Sequence, residues 1–190
     1  KIIADSSCDL TDEMKNEMNI KIVPLTLRLE DKEYVDNESL DIKEYIKAMG
    51  ECEKSPVTSC PSPGDFIKEY REKENVFGVT LSSKLSGTYQ SAIAAKDMLM
   101  EEAGDKFIHV FDSLSASVGE TLVCRKIHEL VKSEVDKAEI IGKVSDYIDN
   151  MKTLFLLEDL DHLAKAGRLN SIMAKIASVL EIKPIMGSNG

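Results

Sequence analysis

Short apolar runs alternate with amphipathic stretches along this chain, and each run empties into a polar loop. Lys1–Ala4 leads into Asp5-Ser6-Ser7-Cys8-Asp9, Val76–Leu81 into Ser82–Gly87, and Phe107–Phe111 into Asp112-Ser113. Runs this short and this continuously apolar read as buried strands, and the segments between them carry the helical period. Strands alternating with helices predict an α/β, Rossmann-like, mostly parallel sheet with helices on both faces and right-handed crossovers.

Thr11 is placed to cap a helix over residues 12–18, with acids in its first turn. Residues 41–49 put Ile42, Tyr45, Ile46 and Met49 on one helical face. A helix from about Pro63 turns Phe66, Ile67 and Tyr70 inward, and further helices are predicted from the 82–87 loop to Met100, over 117–131 and over 136–151. Pro24, inside the alternating run 20–29, marks a sheet edge or a break, and residues 33–35 return as a hairpin strand. Residues 56–63 read as a polar loop, 153–157 as a fourth strand, and 160–166 and 172–180 as short helices. Lys183–Met186 resembles a new strand followed by a turn at 187–190. The expected division is an N-terminal α/β domain at 1–160 and, at 161–190, the opening of a second α/β domain in a longer parent.

Length and charge narrow the function classes. The chain has 190 residues, 43% hydrophobic and 31% charged, enough for a real core. A net charge of −10 argues against a nucleic-acid surface, which needs clustered Lys and Arg. Cys8, Cys52, Cys60 and Cys124 lie scattered, without the C-x-x-C spacing of a zinc site. They read as reduced thiols of a cytoplasmic protein. The start reads as a strand rather than a signal peptide, and no apolar run matches the length of a bilayer span.

Three stretches carry candidate chemistry. In Leu81–Ala92, a strand delivers a Ser/Gly loop to a helix N-terminus, where unpaired N–H groups and the dipole attract an anion. Ser86 and Thr88 add hydroxyls and Gly87 permits close backbone approach; an ordinary serine cap is the alternative. In Val57–Gly64, the Thr58 and Ser59 hydroxyls precede a proline-stiffened turn and could donate to the same anion, or simply cap the turn. In Leu160–Leu169, Gly167 ends a short helix in the left-handed conformation and Arg168 follows on the turn, facing a ligand, a partner's acid or nearby carbonyls. No P-loop spacing and no G-x-S-x-G elbow is present. His109, His128 and His162 lie on a strand and two helices, away from these loops, and read as structural.

Taken in order, these blocks resemble the DegV family, fatty-acid-binding proteins that serve the bacterial fatty acid kinase. The blocks are Asp5-Ser6, Pro24-Leu25, Thr58-Ser59-Cys60-Pro61, Ser82-Ser83, Ser86 to Ser91, Asp112-Ser113, Leu160–Leu169 and Lys183-Pro184-Ile185. The resemblance implies two domains with a long acyl chain buried between them. It implies that Thr58 and Ser86 hold the carboxylate and that a separate kinase phosphorylates it. Cys60 replaces the glutamine of the family's usual Thr-Ser-Gln-Pro, and a histidine that the longer family members bring to the carboxylate near their C-terminus has no counterpart in these residues.

The expectation is therefore a lipid-binding subunit rather than an enzyme, with a long-chain fatty acid as ligand and a fatty acid kinase as partner. Thr58, Ser86 and Gly87 hold the carboxylate, with Ser59, Thr88 and Arg168 in support, and with no metal, cofactor or catalytic nucleophile. Two rivals remain: an anion- or small-molecule-binding module without lipid, and an independent acyl or phosphoryl transferase. The latter needs a base within reach of Ser86.

Overall fold

A computed structural model describes residues 1–52, 54–102, 106–157, 160, 164, 167–168 and 183–188. The predicted helices at 160–166 and 172–180, and His162, fall largely or wholly outside that set. The chain clusters into two compact units, one of Lys1–Leu25 with Cys60–Met151, the other of Thr26–Ser59 with Lys152–Ser188. In this clustering the hairpin segment groups with the later residues rather than with the parallel sheet.

The first unit is built on four parallel strands, β1 (Ile2–Asp5), β2 (Lys21–Val23), β6 (Asn75–Thr80) and β7 (Phe107–Asp112), in the order β2-β1-β6-β7. Chain order steps to one side of β1 and then to the other. The loops after β1 and β6 therefore diverge at a topological switch point, where open α/β sheets bind ligands.

Side chains alternate across the sheet and sort its core into two faces. Ile2, Ala4, Phe77, Val79 and Phe111 pack with α5 (Val118–Lys132) and α6 (Lys137–Asn150). Ile3, Val76, Ile108 and Val110 pack against Phe66 and Tyr70 of α3 (Pro63–Arg71) and Ala92, Ala95 and Leu99 of α4 (Thr88–Glu102). Each large apolar side chain so buried contributes about 1.5–3 kcal/mol.

Local chemistry starts the helices where the sequence predicts. Thr11 Oγ1 accepts from Met14 N–H ahead of α1 (Asp12–Glu17). Ser62 and Asp65 form a reciprocal capping box with Pro63 at the first turn of α3, and Asp136 caps α6.

The second unit holds β3 (Thr26–Leu29), β4 (Lys32–Val35) and β5 (Val57–Ser59) in the antiparallel order β4-β3-β5, with α2 (Ile42–Glu51) between them in sequence. Pro24 acts in both senses expected: it ends β2, a sheet edge, and separates it from β3. Two strand readings need correction. Residues 57–59 form an edge strand rather than loop, since Val57 and Thr58 are β-branched and a short edge strand tolerates bracketing prolines. Residues 153–155 form β8, which leaves the parallel sheet and pairs antiparallel with β9 (Met186–Ser188). Its half-exposed side chains lack the burial on both faces that a parallel strand has.

Gly78, in the middle of β6, is required by packing. A Cβ there would lie 2.8 Å from Tyr70 Oη and 3.3 Å from Val110 Cγ2. Gly78→Ala should destabilise the fold by about 1–3 kcal/mol in urea unfolding, as overpacking does. Adding Tyr70→Phe should recover part of that loss, because it removes the clashing oxygen, which has no hydrogen-bond partner among the described residues. Equal losses with and without Tyr70→Phe would refute this account.

Candidate functional site

The polar loops at the carboxyl ends of β1, β6 and β7 are sewn to one another by buried donors and acceptors. Asp5 is fully buried, accepting from Ser7 N–H at Oδ1 (2.9 Å) and from Leu81 N–H at Oδ2 (2.8 Å). Ser82 N–H donates to Ser115 O (2.7 Å), and Ser113 N–H to Thr80 O (3.1 Å). Asp112 Oδ1 accepts from both Ser83 N–H and Leu114 N–H, each at 3.1 Å.

Within the β6–α4 loop, Leu85 N–H (2.9 Å) and Ser86 N–H (3.1 Å) donate to Ser82 O, so the loop coils before the helix begins. Ser86 Oγ accepts from Thr88 N–H at 3.3 Å and lies 2.9 Å from Thr88 Oγ1. The capping alternative is therefore present in the geometry. Ser91 N–H donates to Gly87 O (3.0 Å), opening the helical ladder of α4. Ser86 is half-buried, Gly87 exposed and Thr88 fully buried.

Ser86, Gly87 and Thr88 thus share one turn of the first unit. Thr58 and Ser59 belong to the second, exposed on β5, where Thr58 stands opposite Leu27. Two residues on from Thr58, Cys60 Sγ lies 4.0 Å from Ser91 Oγ and 3.4 Å from where a Gly87 Cβ would sit. Arg168 is exposed, following Gly167 at φ +74°, the left-handed residue the sequence predicts.

His109 is half-buried on β7 with its ring against Phe111, and burial, then Lys96, pulls its imidazole below the usual value. His128 sits on α5. Neither is hydrogen-bonded to Ser86 or Thr58. Among the described residues no cluster of three or more His, Cys, Asp or Glu is arranged to hold a metal. No helix among them is long and apolar enough to cross a membrane. An open groove of about 630 Å³ in the second unit is lined by Arg28, Glu30, Asp31, Glu33 and Lys54, walls too charged for an acyl chain.

Glu120 is not among the residues that the sequence singles out. The structure links Asp5 through Ser7 to Glu120, which is fully buried on α5 and accepts from the Ser7 hydroxyl. A signal was present: Glu120 falls on the stripe of Val123, Cys124 and Ile127, where a charge is out of place. Gly119 makes that packing feasible, since a Cβ there would come within 1.9 Å of Ser115 Oγ. Ser117, at φ +58°, caps nothing and donates its hydroxyl to Asp9. The scattered cysteines also meet in part: a hydrogen bond between buried Cys8 and Cys124 pulls the first thiol down and pushes the second up.

A family model described as an uncharacterised protein of the DegV family matches residues 1–190. The chain belongs to the DegV family. A DegV domain-containing protein of Streptococcus pneumoniae R6 is 34% identical to this DegV chain over 187 residues, covering 97% of it and 66% of the relative. The chain therefore spans about two thirds of the length of the curated relatives it matches. Among solved structures, a DegV protein of Ruminococcus gnavus, refined with vaccenic acid, is 41% identical at a TM-score of 0.92, over 100% of this chain and 68% of that one. The fatty acid kinase B3 protein of Streptococcus pneumoniae, loaded with linoleic acid, is 32% identical at a TM-score of 0.88, over 98% and 67%.

Asp112 ties two site loops through one oxygen, which yields a direct check. Asp112→Ala should cost about 1.5–3 kcal/mol, the range for hydrogen bonds to a charged group. It should also speed amide exchange at Ser83 and Leu114 ahead of the strand amides of β7. Uniform exchange across the sheet and loops would refute a local pinning role.

Proposed function

We propose that this chain binds a long-chain fatty acid by its carboxylate and presents it to a separate fatty acid kinase, catalysing nothing itself. The observation that carries the reading is the likeness over the whole chain, at 41% and 32% identity, to proteins holding vaccenic and linoleic acid. The Ser86-Gly87-Thr88 turn supplies a chemical reason. An anion placed at the α4 N-terminus, beside a switch point, meets hydroxyls, backbone N–H and the positive end of the helix dipole.

In this reading Thr88, fully buried, gives its hydroxyl proton to Ser86 Oγ, which leaves the Ser86 O–H for the carboxylate. Gly87 N–H and Thr58 Oγ1 complete the set, with Ser59, Thr88 and Arg168 in support. A buried carboxylate needs several donors, while each buried CH₂ of the tail contributes about 0.8 kcal/mol.

Thr58→Val and Ser86→Ala should each weaken fatty-acid binding roughly ten- to a hundredfold, the equivalent of one lost charged hydrogen bond, with the fold kept. Ser62→Ala is the control: it removes the α3 capping box and about 1 kcal/mol of stability, and leaves affinity unchanged. A double Thr58→Val, Ser86→Ala protein that binds as the wild type does would remove the carboxylate site from these residues. The full chain should also yield a C14–C18 fatty acid to solvent extraction and mass spectrometry. Mixed with ATP and fatty acid, it should form acyl phosphate only once the kinase is added. Extraction of a nucleotide or sugar phosphate, or turnover scaling with this protein alone, would overturn the reading.

A further inference from the structure

Glu120 has no part in lipid binding as proposed, yet the structure spends a fully buried carboxyl on it. Its Oε1 accepts the Ser7 hydroxyl, and its Oε2, equally buried, has no hydrogen-bond partner of the ordinary donor-to-carboxylate kind among the described residues. Ser7 joins it to Asp5, also fully buried: the Ser7 N–H donates to Asp5 Oδ1 and the Ser7 hydroxyl to Glu120 Oε1. Two buried carboxyls bridged by one serine repel when both are charged, so one of them holds a proton.

The donors decide which. Burial raises the Asp5 carboxyl, and two backbone N–H groups, from Leu81 and Ser7, pull it back toward its ionised form. Glu120 receives one hydroxyl and has an oxygen with nothing donated to it. A carboxyl oxygen that lacks a donor and faces a carboxylate is where an O–H belongs.

We propose that Glu120 is a neutral acid whose Oε2–H donates to the Asp5 carboxylate, and that this one proton latches α5 to the β1 loop and, through Asp5 and Leu81, to the start of the Ser82–Gly87 loop. The groups facing Glu120 from the other packed elements are Asp5 on β1 and Ser7, Cys8 and Asp9 on the loop after it, with Cys124 one turn along its own helix. These are acidic or neutral groups. Burial first, and then the Asp5 charge, push the Glu120 carboxyl up to about 10. Removing the proton sets a second buried negative charge against Asp5.

The sign follows from proton binding. With Glu120 raised in the folded state, the native chain holds one more proton than the unfolded chain between the ordinary glutamate value, about 4.3, and about 10. Its stabilising contribution is complete below that window and is lost as pH rises through it.

Glu120→Gln supplies the test, since an amide can still donate to Asp5 and accept from Ser7 but cannot ionise. In the full chain at pH 8, the difference infrared spectrum should contain a protonated-carboxyl C=O band in the wild type that the variant lacks. Between pH 5 and 9, the wild-type unfolding constant should rise about tenfold per pH unit relative to Glu120→Gln. The wild type alone gives a further reading: its acid band should bleach as pH passes about 10. A wild type without the band at pH 8, a band that survives in Glu120→Gln, or parallel stability profiles for the two proteins would each overturn the proposal. None of these readouts involves lipid, so this inference and the fatty-acid reading fail separately.

Discussion

A carboxylate buried at the end of a parallel strand must find donors or be neutralised, and Asp5 meets that demand with the backbone of other segments. The Leu81 N–H that it accepts belongs to the residue just after β6, and the Ser7 N–H to its own loop. The charge at the end of β1 thereby fixes where the neighbouring loop begins. Ser82, Leu85 and Ser86 then coil in succession onto that fixed point before α4 starts. Asp112 does the same from β7, gripping Ser83 and Leu114 with one oxygen. The turn that carries Ser86, Gly87 and Thr88 owes its position to these two aspartates more than to its own residues.

The sheet beneath supplies rigidity. Its two faces are closed by separate helix pairs, and single small residues permit the closest approaches. Gly78 admits the Tyr70 ring to β6, and Gly119 lets α5 abut the Ser115 turn. Beside Gly119, Glu120 is fully buried, and the proposed proton resolves the electrostatic problem of two buried acids. A turn held by hydrogen bonds to Asp5 and Asp112 on a closed core is preorganised, and preorganisation lowers the ordering cost of any contact that the turn makes.

Much of this was legible from residue order. The apolar runs at 2–5, 75–80 and 107–112, the caps at Thr11, Ser62 and Asp136, and the Ser/Gly turn before α4 are local features, and local physics settles them. The break at Pro24 belongs with them, because a missing N–H has the same consequence in any fold. Strand 57–59 was harder to read, since whether three residues between prolines pair depends on a partner found only in space, here β3. The same holds for 153–155, whose partner lies more than thirty residues further on.

The sequence by itself determined the α/β character, the two-faced parallel sheet and the Ser/Gly turn that opens α4, because hydrophobic period, capping and glycine placement act over a few residues. Only the tertiary structure decided which polar groups meet. Asp5 and Glu120 stand 115 positions apart, and the Ser7 hydroxyl between them connects segments that no periodicity links. Thr58 and Ser86 likewise carry suitable hydroxyls, but the chain divides them between two compact units. Electrostatic contacts depend on distance through space rather than along the chain, and that distance exists only once the core has closed.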